Sequence, residues 1–241
     1  MKLMWGITGA GYLLEESFNA VEEVKERFSA KVTTVLTRAG EEVVRVYGLE
    51  ERLKRISPGG YYEELLTELS EGACGYRAGR LAVKAYDLLF VSPASANTVA
   101  KIVHGIADTP VTNAVAQALK GGVPVVVVPT DQAPYVEAPS PHRVDRDLCV
   151  GCQPCRAAEA CPHGAVKLVE GKAWIDLALC HGCSLCSSTC PYGAIKVGEK
   201  VRVKVRSLDL ANVDRLRSME GVRVLSSPSE LLAVVKELLG L

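Results

Sequence analysis

Cys149-Val-Gly-Cys152-Gln-Pro-Cys155-Arg-Ala-Ala-Glu-Ala-Cys161-Pro162 and, further on, Cys180-His-Gly-Cys183-Ser-Leu-Cys186-Ser-Ser-Thr-Cys190-Pro191 hold all but one of the chain's nine cysteines. In each stretch three cysteines are separated by two residues, and a fourth stands directly before a proline. Such spacing lets one tight turn wrap three corners of an iron–sulfur cube, while the Cys-Pro cysteine points away to the other cube. On this pattern one [4Fe-4S] cluster takes Cys149, Cys152, Cys155 and Cys190. The other takes Cys180, Cys183, Cys186 and Cys161. A pair of zinc sites is the competing interpretation, because Cys-x2-Cys pairs also make zinc knuckles. Zinc, however, closes with four ligands and has no use for a third cysteine at the same short spacing, twice. Cys74 stands outside both sets and reads as a structural thiol.

Both motifs run into matching segments, CPHGAVKL and CPYGAIKV, each expected to be a turn and a short strand. Over about fifty residues this resembles the bacterial two-cluster ferredoxins. The first motif departs from that family in having five residues, not three, before its Cys-Pro. The ligand count survives, but the longer loop is expected to bear on where Cys161 sits.

Outward from the cysteines the chain changes character. With 241 residues, 48% of them hydrophobic, it can build one sizeable core and one small module. Residues 1–130 alternate strand and helix: strands at Lys2–Ile7, Lys31–Leu36, Asp87–Val91 and the VPVVVV run at 123–128. Helices are predicted after Gly11, over Gly40–Tyr47, Tyr61–Leu69 and Thr112–Leu119, and near Val99. PTDQAPYVEAPSP (129–141) reads as a stiff proline-rich connector. After the cysteines, Asp209 is placed to cap a helix over Leu210–Glu220, followed by a strand at Val222–Leu225. A capping box at Ser227-Pro228-Ser229-Glu230 opens the last helix. The expectation is an α/β protein: a flavodoxin/Rossmann-like parallel sheet with helices on both faces (1–137 and 200–241), interrupted by an inserted α+β ferredoxin-like module (138–199) with two [4Fe-4S] clusters.

The 28 basic and 28 acidic residues cancel, which points away from nucleic acid and from an anionic membrane as partners. No apolar run reaches membrane-span length, and the N-terminus reads without a signal peptide. Clustered thiols with no secretory signal fit a reducing, cytoplasmic location and metal rather than disulfides.

Thr8-Gly9-Ala10-Gly11, between the first strand and its helix, offers free N–H groups at a helix end, suited to phosphate. It lacks the third glycine of a dinucleotide fingerprint, and Leu36-Thr37-Arg38 offers no ribose-binding acid, so a mononucleotide fits better than NAD. SPASANT (92–98), Lys101 and GIADTPVTNAVAQA (105–118) resemble the homo-oligomeric flavin-containing proteins. That family includes FMN-dependent phosphopantothenoylcysteine decarboxylases and flavin prenyltransferases. The resemblance implies FMN with its phosphate near Thr8, Gly9, Ala10, Gly11 and Thr37. It places the ribityl chain and ring edge near Ser95, Ala96, Asn97 and Thr98, with Asp108 at the far end of that helix. Helix capping by Ser95 or Asn97 is the plainer alternative. The resemblance also implies a homo-oligomer built from trimers.

The stretch Tyr76–Lys84 has no histidine where the decarboxylases carry one, which disfavours decarboxylation. Its Arg77, Arg80 and Lys84 either face an anionic substrate or solvent. Cubes passing one electron each to a flavin that handles one or two suit a two-electron reduction. The combination, with the C-terminal LDLANVDRLRSMEGVRVLSSPSEL, resembles archaeal iron–sulfur flavoproteins of the dihydromethanopterin reductase type. That implies a ferredoxin-like donor and a pterin acceptor reduced to its tetrahydro form. Alternatives are an electron carrier without its own small-molecule substrate, or a flavin-dependent decarboxylase or prenyltransferase.

Overall fold

Six strands form one all-parallel sheet: β1 (Lys2–Ile7), β2 (Lys31–Leu36), β3 (Leu65–Leu66), β4 (Leu88–Ala94), β5 (Val125–Pro129) and β12 (Val222–Val224). The computed structural model describes residues 1–72 and 76–241; Cys74 lies outside them. The central strands are buried nearly end to end, as a parallel sheet covered on both faces requires. One face is covered by α1 (Leu14–Phe28), α2 (Arg38–Val46), α3 (Glu50–Ile56) and α11 (Leu231–Leu239), through Phe18, Val21, Val44, Leu53 and Val235. The short α4 (Glu68–Glu71) follows β3 at the sheet edge. The other face is covered by α5 (Gly79–Ala82), α6 (Ala96–Val103), α7 (Pro110–Gly121) and α10 (Ser207–Arg217), through Leu81, Ile102, Val115 and Leu216. Across the sheet the order is β3-β2-β1-β4-β5-β12. It reverses between β1 and β4, and in open α/β sheets ligands bind outside the strand ends at such a reversal.

The cysteine-bearing residues leave and rejoin this sheet through a ribbon, β6 (Tyr135–Pro139) antiparallel to β11 (Lys200–Lys204). The expected connector is therefore partly a strand, its prolines tolerated because the ribbon is all edge. Between the ribbon strands lie β7 (Arg143–Val144) paired with β10 (Ile195–Lys196), the hairpin of β8 (Val166–Val169) and β9 (Lys172–Ile175), and the short helices α8 (Arg156–Glu159) and α9 (Leu185–Thr189). Among the described residues no helix is long and apolar enough to cross a membrane.

Two further expectations are corrected, and Arg77 and Arg80 of the Tyr76–Lys84 stretch find partners. Tyr61–Leu69 is a turn, β3 and the start of α4, not a helix: Tyr62 sits at φ 68 and Leu65 pairs with Thr34. Asp209 does not cap α10 from outside. The helix starts at Ser207, so Asp209 lies in its first turn, buried and bound by Arg206 at 2.7 and 2.8 Å. An acid there complements the positive helix end. Arg77 and Arg80 are only partly exposed. Each is held at 2.7 Å by a carboxylate, Glu71 and Glu64 respectively.

Glu64 also accepts from Thr33 Oγ1 at 3.0 Å, and Thr33 in turn accepts from Tyr86 Oη at 2.9 Å. Burial opposes the Glu64 charge, but the Arg80 and Thr33 hydrogen bonds outweigh it and hold the carboxyl below its ordinary 4.5. A depressed folded value stabilises above the unfolded one. The contribution is thus full above that value and lost as pH falls through the lower folded one. Arg80→Met should cost about 2 kcal/mol at neutral pH, less than a fully buried pair because both groups keep some solvent. Urea unfolding of the flavin-free protein should show the cost and a weaker loss of stability on acidification.

Candidate functional site: a flavin crevice beside a thiolate module

The reversal between β1 and β4 is tied by one hydroxyl. Thr8 Oγ1 donates to Pro93 O at 2.7 Å and accepts from the Ser95 N–H at 2.8 Å. Trp5 Nε1 donates to Ser92 O at 2.8 Å one layer below. On the other side of the loop, Thr37 caps α2 by accepting from the Gly40 N–H at 3.0 Å. The β1 loop touches the first turn of α2 closely enough that a Cβ on Gly9 would stand 2.5 Å from Ala39 Cβ.

Outside these strand ends opens a cavity of about 460 Å³, within the range that suits a cofactor. Of the anticipated residues, Gly9, Thr37, Ser95, Asn97 and Thr98 line it. Thr8 is buried behind it as the tie between strands. Gly11 lines a neighbouring cavity of about 620 Å³ against the cysteine module. Ala10 and Ala96 are not among the lining residues of either. Asp108 lies beyond α6, in the loop before α7, and its carboxylate is held by Lys101 at 2.8 Å. Helix capping does not explain the Ser-Ala-Asn-Thr run. Ser95 occupies the cap position of α6 but makes no cap bond, and Asn97 already lies inside the helix.

The cavity also holds Arg38, Lys101 and Glu68, which motif reasoning did not single out as site residues. Glu68 accepts from the Arg38 N–H at 3.1 Å, at the start of α2. Burial, then the Glu68 charge, pushes the Glu41 carboxyl up. Their signal in the sequence was weak, since single charges in three separate helices share no spacing. Hydroxyls, an amide, two cations and a helix start suit a phosphate and a polyol, so this chain's residues fit FMN.

In the module, Cys149, Cys155, Cys180 and Cys186 are buried, with Cys152, Cys161 and Cys190 partly buried against them, while Cys183 is exposed. The other buried side chains are mostly small, among them Ala157, Ala165, Ala173 and Ala194. Such a core is thin for its length and leaves the thiols, not apolar bulk, at its centre. Cys161, Cys180, Cys183 and Cys186 line one enclosed space. α8 occupies four of the five residues before Cys161. Without metal, burial and then the neighbouring Cys180, Cys161 and Cys183 push the Cys186 thiol up to about 11. Cys161 goes the other way: burial opposes its charge, but backbone N–H groups, first those of His163 and Ala165, outweigh that and lower its value. Thiols crowded this closely, two of them buried, cannot all ionise without cations to share them, which is what an iron–sulfur cube would supply. The donor set and the small-residue core therefore fit such a cube.

A parallel sheet with a phosphate-suited crevice at its reversal, joined to a thiolate module, defines an iron–sulfur flavoprotein. Residues 1–140 match the Flavoprotein family and residues 173–196 a 4Fe-4S binding domain. The chain is 46% identical to dihydromethanopterin reductase (acceptor) of Methanosarcina mazei, over 96% of this chain and 97% of that one. It is 45% identical to the protein of the same name from Methanocaldococcus jannaschii, over 96% and 94%. The chain belongs to this flavoprotein family. Among solved structures it resembles Burkholderia xenovorans DmrB in complex with FMN, described as a cubic protein cage for redox transfer. That match has a TM-score of 0.63 and 25% identity, covering 99% of this chain and 94% of the other.

Proposed function

We propose that this chain takes single electrons through two [4Fe-4S] clusters to FMN and reduces a dihydropterin, dihydromethanopterin first among them, to the tetrahydro form. The observation that carries the proposal is one fold holding a phosphate-suited crevice at the β1/β4 reversal and two thiolate motifs on the ribbon beside it. The names of the two relatives support the acceptor. FMN and the cubes, when bound, supply chemistry the protein lacks: two one-electron carriers and a two-electron one match the two electrons and two protons that turn a C=N bond into CH–NH.

The chain's own residues bind and orient. Cys149, Cys152, Cys155 and Cys190 hold one cube, and Cys161, Cys180, Cys183 and Cys186 the other. Thr8 keeps the crevice open at a fixed width. The Thr37, Ser95 and Thr98 hydroxyls and the Asn97 amide face the phosphate and polyol, with Arg38 and Lys101 balancing charge. Residues 1–137 and 200–241 form the FMN domain, into which 138–199 is inserted. A ferredoxin-like protein is the electron donor, and the assembly is a homo-oligomer built from trimers, a cage-forming structural relative lending support to assembly. Clustered free thiols suit the reducing cytoplasm.

The experiment is anaerobic stopped-flow mixing of the fully reduced protein with dihydromethanopterin. Flavin absorbance should return as one tetrahydropterin forms per flavin. A flavin that stays reduced would leave a protein-to-protein electron carrier as the function.

A further inference from the structure

The two thiolate sets are not equivalent toward the flavin domain. Arg45, in the last turn of α2, donates through Nη1 to Cys180 O at 2.6 Å and more distantly to Leu177 O at 3.4 Å. His181 Nδ1 meets Glu50 Oε2 at 3.0 Å. Gly182, at φ 61, lies so close to the turn after α2 that a Cβ there would stand 2.5 Å from Val46 O. Gly182 and Ser184 also share the 620 Å³ cavity with Gly11 of the β1 loop. The first motif has no such anchorage. Among the described residues, no hydrogen bond or ion pair of residues 145–161 reaches residues 1–130. Instead the Cys149 sulfur accepts from the Ala173 N–H at 3.3 Å within the module.

We propose that the thiolate set Cys161, Cys180, Cys183 and Cys186 is the inner one, facing the flavin, and that Arg45 is the positioning residue that holds it there. The inference rests on the two-cluster FMN function proposed above. A single element makes the link. α2 begins at the flavin cavity with Thr37 and Arg38 and ends at Arg45, which grips the Cys180 loop. Its nine residues span about 13 Å. The set Cys149, Cys152, Cys155 and Cys190 is then the outer one, where an electron from a one-electron donor arrives. With both sets loaded, an electron would pass from the outer set to the inner set and on from the inner set to the flavin, each set returning to its starting state; two such passages, with two protons from solvent, would reduce the flavin fully.

Arg45 does more than hold. A guanidinium bonded to the Cys180 carbonyl would put positive charge near the cluster that Cys180 would hold, and charge and hydrogen bonding set cluster potentials. A Lys at this position keeps the charge as a single point without the rigid fork.

The test uses the anaerobically prepared holoprotein and the variants Arg45→Met, Arg45→Lys, Cys152→Ser and Cys183→Ser. Readouts are iron and flavin content, the potential of each cluster by redox titration followed by electron paramagnetic resonance, and the rate at which electrons from a small one-electron donor reach the flavin. In Arg45→Met one cluster potential should fall and arrival at the flavin slow between about tenfold and a hundredfold, as expected for a displaced reacting group. Arg45→Lys should recover most of both. The affected signal should be the one missing from Cys183→Ser and present in Cys152→Ser. Unchanged potentials and rate, or a shift in the signal that Cys152→Ser removes, overturn the proposal. If Arg45→Met takes up no iron, the cysteine pair decides. A chain keeping only the second set should still fill its flavin faster than one keeping only the first, and the reverse order sinks the assignment. Wild-type protein lacking iron or flavin would instead overturn the function itself.

Discussion

Cys186→Ala should leave about four of about eight irons per chain and remove electron delivery to the flavin, while FMN stays bound. Cys186 is buried among Cys161, Cys180 and Cys183, so its loss would open one corner of the cube proposed there and leave the other four thiols untouched. Flavin should stay because none of the residues lining the 460 Å³ cavity comes from the module. Iron and sulfide analysis with a visible spectrum checks the first part. The rate of dihydropterin reduction from a ferredoxin-like donor checks the second, and should fall to that of iron-free protein. A variant that keeps all its iron would mean that the two motifs do not share cubes as proposed.

Gly9→Val is the complementary change. The β1 loop and the first turn of α2 are in contact where Gly9 faces Ala39, and there is no space for a branched side chain. Overpacking of this kind costs about 1–3 kcal/mol of stability. The loop must withdraw from α2, which spoils the cradle on both sides of the phosphate. FMN affinity should drop about a hundredfold, roughly 2.8 kcal/mol, in a fluorescence titration of the apoprotein, with iron content unchanged. Tight FMN binding by Gly9→Val would show that the phosphate lies elsewhere.

What the sequence disclosed depended on whether a property was local. The cysteine spacing is a local pattern, and the structure gathers Cys161 with Cys180, Cys183 and Cys186 despite the longer loop. β1 and β2 were equally legible as short apolar or β-branched runs, and α1 by an apolar period complete within the helix. Tyr61–Leu69 misled because a two-residue edge strand is too short to show a period of two, and its place is fixed by β2, not by its own residues. The ribbon was hidden for a similar reason. Tyr135–Pro139 becomes a strand only because Lys200–Lys204, some sixty residues on, lies beside it. At the flavin crevice the motif residues, Lys101 among them, were visible, but Arg38 and Glu68 join them through the fold alone. Arg45 is the same case: an ordinary charge in a helix, given a role by the loop that docks on it.

The most direct measurement is the cofactor content of protein purified without oxygen: iron, acid-labile sulfide, zinc and flavin on one sample. About eight irons, about eight sulfides and about one FMN per chain are predicted from two four-iron cubes and one crevice. Zinc in place of iron, or iron for a single cube in fully loaded protein, would contradict the account.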